Sequence, residues 1–385
     1  MSTTANWSYP TAIKFGAGRI ADLAESCRAA GMLRPLLVTD RGLANMPITQ
    51  DALDRLNEAG LGRALFSEVD PNPTDANLEA GIKAFRAGDH DGVVAFGGGS
   101  GLDIGKLIAF QAGQTRPVWD FEDIGDYWTR ADASAIYPIV AVPTTAGTGS
   151  EVGRAGVVTN SEKQVKSVIF HPKMLPAVVI SDPALTVGLP PVLTAGTGLD
   201  AFIHCLEAYC SPFYHPMSEG IAVEGMRLVK DNLLRAYKDG SDIEARGHMM
   251  SAAAMGAVAF QKGLGGIHSL SHPTGVLYHT HHGLTNAVYM PYVLRHNRSA
   301  IEGKIDRLSA WLGISGGFDG FMEWVLDFRA KLAIPETSKD LGIDDAQFHR
   351  MAEMAVVDPT AGGNPIPLTV ADCETLYQRA YDGDV

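Results

Sequence analysis

Short apolar, β-branched runs at residues 35–39, 92–96, 137–142 and 177–180 each end on Gly, Asp or Pro, the punctuation of a strand leaving a sheet. Amphipathic stretches at helical period, such as residues 77–87, lie between them. Strand and helix in alternation predict a parallel α/β sheet, because parallel neighbours need a long crossover and that crossover is usually a helix. After Asp182-Pro183 the rhythm changes to long helical runs at 193–209, 217–238 and 243–260. Gly and Pro between 188 and 191 supply linker chemistry. The pattern predicts an α/β domain over residues 1–185 and a helical domain over residues 186–385. A chain of 385 residues suits two cores better than one.

Hydrophobic residues make up 46% and charged residues 19%, and the 42 glycines are scattered at turns, so the composition is that of a globular protein. A net charge of -13 without any basic run argues against nucleic acid or anionic lipid as a partner. Residues 1–10 lack the basic start and apolar stretch of a signal peptide, and no apolar run reaches membrane-spanning length, so a cytoplasmic protein is expected. Cys27, Cys205, Cys210 and Cys373 show no CxxC spacing, which removes the zinc-ribbon and thioredoxin-like readings. Cys205 is the thiol to follow, since it adjoins a candidate ligand.

The strand at 92–96 runs into Gly97-Gly98-Gly99-Ser100-Gly101 and then a helical stretch from Leu102 to Phe110. Glycine lets backbone amides approach a phosphate without a Cβ in the way, and a helix N-terminus adds about half a positive charge. The run is neither a P-loop, because Leu107 follows Lys106, nor a clean GxGxxG. A dinucleotide suits it better than an NTP. Asp40 closes the strand at 35–39, where a carboxylate accepts the ribose hydroxyls of NAD and repels the extra phosphate of NADP. A second loop, Pro143-Thr144-Thr145-Ala146-Gly147-Thr148-Gly149-Ser150-Glu151, follows the next strand with hydroxyls and glycines fit for the same cofactor; Ser or Thr ahead of Glu is also helix-capping chemistry.

Asp200 and His204 are four apart, so on a helix they share a face and can share a cation. His268 and His272 repeat that spacing, and His279, His281 and His282 follow. Six of the 12 histidines fall between 268 and 296 in a largely apolar stretch, where unpaired imidazoles are costly to bury. One coordinated ion accounts for that density. Carboxylate and imidazole donors without thiolate suit a catalytic Fe(II) or Zn(II) better than a structural zinc.

Taken in order, Phe15-Gly16-Ala17-Gly18, Pro71-Asn72-Pro73-Thr74, GGGSGLDIGK, TTAGTGSE, Gly198 to His204 and the His268 to Gly283 stretch resemble the iron-containing (group III) alcohol dehydrogenase family, over nearly the whole chain. The resemblance implies a Rossmann-like N-terminal domain, a helical metal domain of the dehydroquinate synthase-like type, a cleft between them, and a homodimer or larger assembly. It implies metal binding by Asp200, His204, His268 and His282, with His272 in proton transfer. Cofactor contacts fall on Asp40, Asn72, the turn Gly98, Gly99, Ser100 and Gly101, then Asp103, Thr144, Thr145, Thr148 and Lys166. Residues 260–265 are one residue shorter before the first His than in diol-oxidising members. With Arg154, Phe260 and Lys262 near the expected pocket, a carboxylate-bearing aldehyde becomes a candidate substrate beside simple primary alcohols.

Two rival readings use the same features. A lyase of the dehydroquinate synthase type, or a polyol-phosphate enzyme, would want more pocket Lys and Arg than the sequence offers. A non-catalytic metal or nucleotide binder would need the donors without the chemistry.

Overall fold

Among the described residues the strands are β1 (Ala12–Phe15), β2 (Pro35–Val38), β3 (Leu65–Phe66), β4 (Gly92–Gly97), β5 (Ile139–Pro143), β6 (Ala155–Asn160), β7 (Val165–Phe170) and β8 (Val178–Ser181). Six of them form one parallel sheet in the order β1-β8-β5-β4-β2-β3, and β6 pairs with β7 apart from it. The computed structural model describes residue 9 and residues 11–385; of the amino-terminal stretch expected to carry no targeting segment, only Tyr9 is among them. Every residue of β2, β4 and β5 is buried, as expected of strands covered on both faces. The four anticipated strands are present, whereas the antiparallel hairpin of β6 and β7 was not anticipated.

The helices of this part are α1 (Leu23–Ala29), α2 (Pro47–Glu58), α3 (Asp75–Ala87) and α4 (Gly99–Gln111). Asn77 Oδ1 accepts the Thr74 N–H at 2.9 Å and fixes the start of α3 at Asp75, two residues earlier than a count from Asn77 suggests. The chain leaves β2 towards β3 and returns on the other side of β2 as β4, so the order reverses between β2 and β4. In open α/β sheets the crevice beyond the strand ends at such a switch point is where ligands bind.

The helical part comprises α5 (Pro191–Cys210), α6 (Pro216–Lys238), α7 (Ile243–Ala259), α8 (Gly266–Tyr278), α9 (His282–Leu312), α10 (Gly317–Lys331), α11 (Phe348–Val356) and α12 (Val370–Asp382). Pro191 opens α5, where its missing N–H costs nothing, and almost the whole circumference of that helix is buried. Its core includes Leu199, Phe202, Ile203, Leu206, Met226, Leu233, Val293 and Phe321. The chain divides into two compact units, Tyr9–Thr145 with Gly149–Gly188, and Ala146–Thr148 with Leu189–Val385 among the described residues. The middle of the threonine-rich loop thus belongs to the helical unit, where a Cβ on Gly147 would stand 2.7 Å from that of Thr197. Among the described residues no helix is long and apolar enough to cross a membrane.

Candidate active site

In the helical unit, Asp200 and His204 project from one face of α5, and His268 from the first turn of α8. Each of the three offers a ligand atom, and all of these lie within 4.8 Å of one another in a buried setting. His204 Nε2 is 3.9 Å and His268 Nε2 3.8 Å from Asp200 Oδ1. His282, at the start of α9, brings its Nε2 to 3.6 Å of the same oxygen; with 28% of its side chain exposed, it is the most open of the four. These separations exceed hydrogen bonds yet lie near the roughly 3.4 Å between donors that each stand about 2.1 Å from a tetrahedral ion. The residues therefore fit a divalent cation in both donor type and spacing.

Glycines permit this convergence. A Cβ on Gly283 would meet the Gly196 carbonyl oxygen at 2.2 Å, so only glycine lets the start of α9 press on α5 beside Asp200. From α7, a Cβ on Gly256 would lie 3.0 Å from that of His204. Burial, opposed by the Asp200 charge, pushes the His204 imidazole down to about 4, so it stays neutral and able to donate its lone pair.

Three supporting residues escaped the sequence reading. Asn286 Nδ2 donates to Asp200 Oδ1 at 2.9 Å and lies 3.1 Å from His282 Nε2 and 3.2 Å from His268 Nε2, so three ligand atoms aim at one point. Glu207 Oε2 lies 2.6 Å from His268 Nδ1. Asp358 Oδ2 lies 2.8 Å from His272 Nδ1, and its Oδ1 accepts from the Thr360 amide and hydroxyl. Glu207 and Asn286 were within reach, since 200, 204 and 207 share one face of α5 while 282 and 286 share one of α9. Asp358 carries no such signal, lying in an irregular segment 86 residues from its partner.

The other histidines have separate work. His281 caps α9 by accepting the Leu284 N–H, and His279 is exposed in a left-handed conformation after α8. His272, 20% exposed, stacks on His282 with ring centroids 5.4 Å apart. Phe260 packs edge-on to His204 at 5.1 Å. Cys205 is fully buried and its thiol is pushed up to about 12, which leaves it a packing residue.

Lys262 corrects an expectation. Its ammonium is buried and donates to Glu219 at 2.7 Å and to the Tyr209 carbonyl at 3.0 Å, because a buried cation must find partners. It is therefore not available to a substrate anion. Arg154, in the α/β unit, places its guanidinium 5.3 Å from the centre of the Phe170 ring.

In the α/β unit, the glycine turn joins β4 to α4 at the switch point. Gly97 has φ +139°, a Cβ on Gly101 would meet the Phe96 carbonyl at 2.8 Å, and one on Gly105 would lie 2.7 Å from that of Ala95. The first needs glycine for its conformation; the other two seat the helix against the strand. Gly98 caps α4 beside the Thr145 methyl, and Gly99, Ser100 and Gly101 form its first turn. Ser100 donates to the Pro71 carbonyl at 2.7 Å, tying this turn to the half-buried Asn72 next in sequence. Asp40 uses Oδ1 to accept the Gly42 and Leu43 amides, while its Oδ2 faces the position of a Gly97 Cβ at 3.6 Å.

Some residues expected at the cofactor have internal partners. Asp103 accepts from the Ser150 hydroxyl and, at 3.2 Å, from the Val157 amide, and pairs with Lys106 at 3.3 Å, so its carboxylate fastens α4 to the following loop and β6. Thr144 is buried, its amide bonded to the Gly97 carbonyl at 2.9 Å. Lys166 lies half-buried on β7 opposite Thr159, and Thr148 is half-buried in the helical unit.

A cation-sized donor set in one unit and a phosphate-type turn in the other are the parts that a metal-dependent, dinucleotide-using enzyme needs. Residues 10–183 match the iron-containing alcohol dehydrogenase model, and residues 194–381 the C-terminal model of the Fe-containing alcohol dehydrogenase family. The chain belongs to the iron-containing alcohol dehydrogenase family and is an oxidoreductase acting on alcohols. It is 37% identical over 382 residues to the 4-hydroxybutyrate dehydrogenase of Cupriavidus necator, covering 97% of this chain and 98% of that one. The crystal structure of a 1,3-propanediol oxidoreductase superposes with a TM-score of 0.92 at 36% identity, over 98% of this chain and 99% of that one. A sulfoacetaldehyde reductase from Bifidobacterium kashiwanohense, solved with NAD+, gives 0.89 at 27% identity, with all of both chains covered (100% each). Membership implies a nicotinamide cofactor and an iron-type metal, and decides for the dehydrogenase over the lyase and the non-catalytic binder.

Proposed function

We propose that the chain is an NAD-linked dehydrogenase of small primary alcohols that uses one Fe(II), or Zn(II) in its place, held by Asp200, His204, His268 and His282. The observation that carries this reading is the aim of Asp200, His268 and His282 at a single point, marked by Asn286 Nδ2. Asp200, His204, His268 and His282 would hold a cation that would supply Lewis acidity towards an alcohol or carbonyl oxygen, and a nicotinamide cofactor would supply the hydride chemistry. The protein's own part is to hold neutral imidazoles and one carboxylate in a buried setting, and to move a proton. His272 performs the latter: Asp358 engages Nδ1, which leaves Nε2 to take the hydroxyl proton and pass it to solvent. NAD is preferred over NADP because Asp40, at the end of β2, sets a carboxylate where a 2′-phosphate would come.

A second reading keeps the metal and cofactor and makes the substrate an ω-hydroxy acid. It draws on the likeness to the 4-hydroxybutyrate dehydrogenase and the sulfoacetaldehyde reductase. Against it, Lys262 is committed to Glu219, which leaves Arg154 as the remaining candidate for the anion. The protein loaded with Fe(II) or Zn(II) should reduce NAD with 1,3-propanediol, and a chelator should abolish the reaction. Turnover that survives full metal removal overturns the metal reading, and a kcat/KM at least tenfold higher for 4-hydroxybutyrate decides for the second.

A further inference from the structure

Helix α8 begins with two amides that no earlier turn can satisfy, and both are bonded by side chains from elsewhere. Asn364 Oδ1 accepts the Gly266 N–H at 3.0 Å, and Glu207 Oε1 accepts the Ile267 N–H at 2.7 Å. The second oxygen of Glu207 meets His268 Nδ1 at 2.6 Å. Glu207 is buried on α5, seven residues after Asp200 and three after His204. A single carboxylate therefore fixes the start of α8, the orientation of the His268 ring and the end of that ring that carries the proton.

We infer that Glu207 is a positioning residue for the metal: it holds His268 in the Nδ1–H tautomer, so that Nε2 presents its lone pair beside Asp200. This rests on the metal reading proposed above. The chemistry leaves little choice of residue, because a carboxylate is acceptor-only at both oxygens: one takes the Ile267 N–H, and the His268 Nδ1 that meets the other must donate. A glutamine has one acceptor and one amino group. With its carbonyl on Ile267, its amino group faces His268 Nδ1, which must then accept, and the proton moves to Nε2, the atom aimed at Asp200. With the amide turned over, the amino group faces the Ile267 N–H and the helix start loses its partner. The anion also adds negative charge behind the donor set, which raises the basicity of the imidazole and favours a cation.

Zinc affinity, measured by competition with a chromophoric chelator, should fall about 10- to 100-fold in Glu207→Gln, the range that such outer partners command. Wild-type protein that takes up no stoichiometric zinc would defeat the metal reading; wild-type affinity retained by Glu207→Gln would overturn this inference alone. The tautomer itself is read without a variant, from 15N chemical shifts of the His268 ring in metal-free wild-type protein at pH 9. A signal from Nδ1–H with a bare Nε2 is expected. A neutral ring protonated at Nε2, or a ring still protonated at both nitrogens, overturns the inference even if Glu207→Gln does not fold.

Discussion

The donor set of the helical unit and the glycine turn of the α/β unit are built on opposite principles. Around Asp200 the site consists of side chains: one carboxylate, three imidazoles with Glu207 and Asn286 behind them, and His272 held by Asp358. At Gly97 to Gly105 the site consists of missing side chains, which let a strand, a turn and a helix approach where any Cβ would intrude. A side-chain site fails when one group is removed, whereas a backbone site fails when one is added. The largest expected effect comes from removal: Asp200→Ala should abolish stoichiometric metal binding and lower kcat/KM by about a thousandfold, as loss of several kcal/mol of charge stabilisation requires. NADH binding, followed by its fluorescence, should stay within about twofold. A joint loss of metal and NADH binding would break the separation of the two sites.

Legibility in the sequence followed the same division. Asp200 and His204 were readable because a helix turns spacing into geometry, and the metal expectation needed only that face. Glu207 lay on the same face and went unused, since a Glu in a helix is ordinary until its hydrogen bonds are known. Asp358 could not be reached by local spacing, because only the fold brings it to His272. Lys262 was misjudged for a physical reason: its charge was visible, but its burial against Glu219, 43 residues earlier, was not. The parallel sheet was readable from β2, β4, β5 and β8, whose continuous apolar runs suit strands covered on both faces. The β6–β7 hairpin has the alternate burial of a half-exposed ribbon, and each of its strands is only six residues long, too short for the period-two pattern to stand out.

Addition should act on the other site. Gly101→Ala would put a methyl group 2.8 Å from the Phe96 carbonyl, which pushes the first turn of α4 off the end of β4. Overpacking of this kind costs about 1–3 kcal/mol. NADH affinity should fall at least about tenfold, because the amides of that turn lose their alignment. Metal content should remain at the wild-type value. An alanine at 101 that leaves NADH affinity unchanged would mean that the turn is a packing feature only.

The smallest effect tests the α/β unit away from the donor set and the glycine turn. Glu151 is wholly buried, and burial raises its carboxyl to about 7 from the usual 4.5, with the nearby Lys106 opposing. The folded chain therefore holds a proton that the unfolded chain has released between those values. Stability from this group is full below about pH 4.5 and is lost as pH rises through about 7, by at most about 3 kcal/mol at 1.36 kcal/mol for each pH unit of difference. His204 has the opposite sign: its depressed value makes metal-free protein lose stability as pH falls from about 6.5 towards 4. Glu151→Gln removes the first slope and leaves the second. Urea unfolding of metal-free protein at pH 5 and pH 8 should show the variant gaining on wild type by about 1–3 kcal/mol at the higher pH. An equal difference at both pH values would show that the Glu151 carboxyl titrates as it does in water.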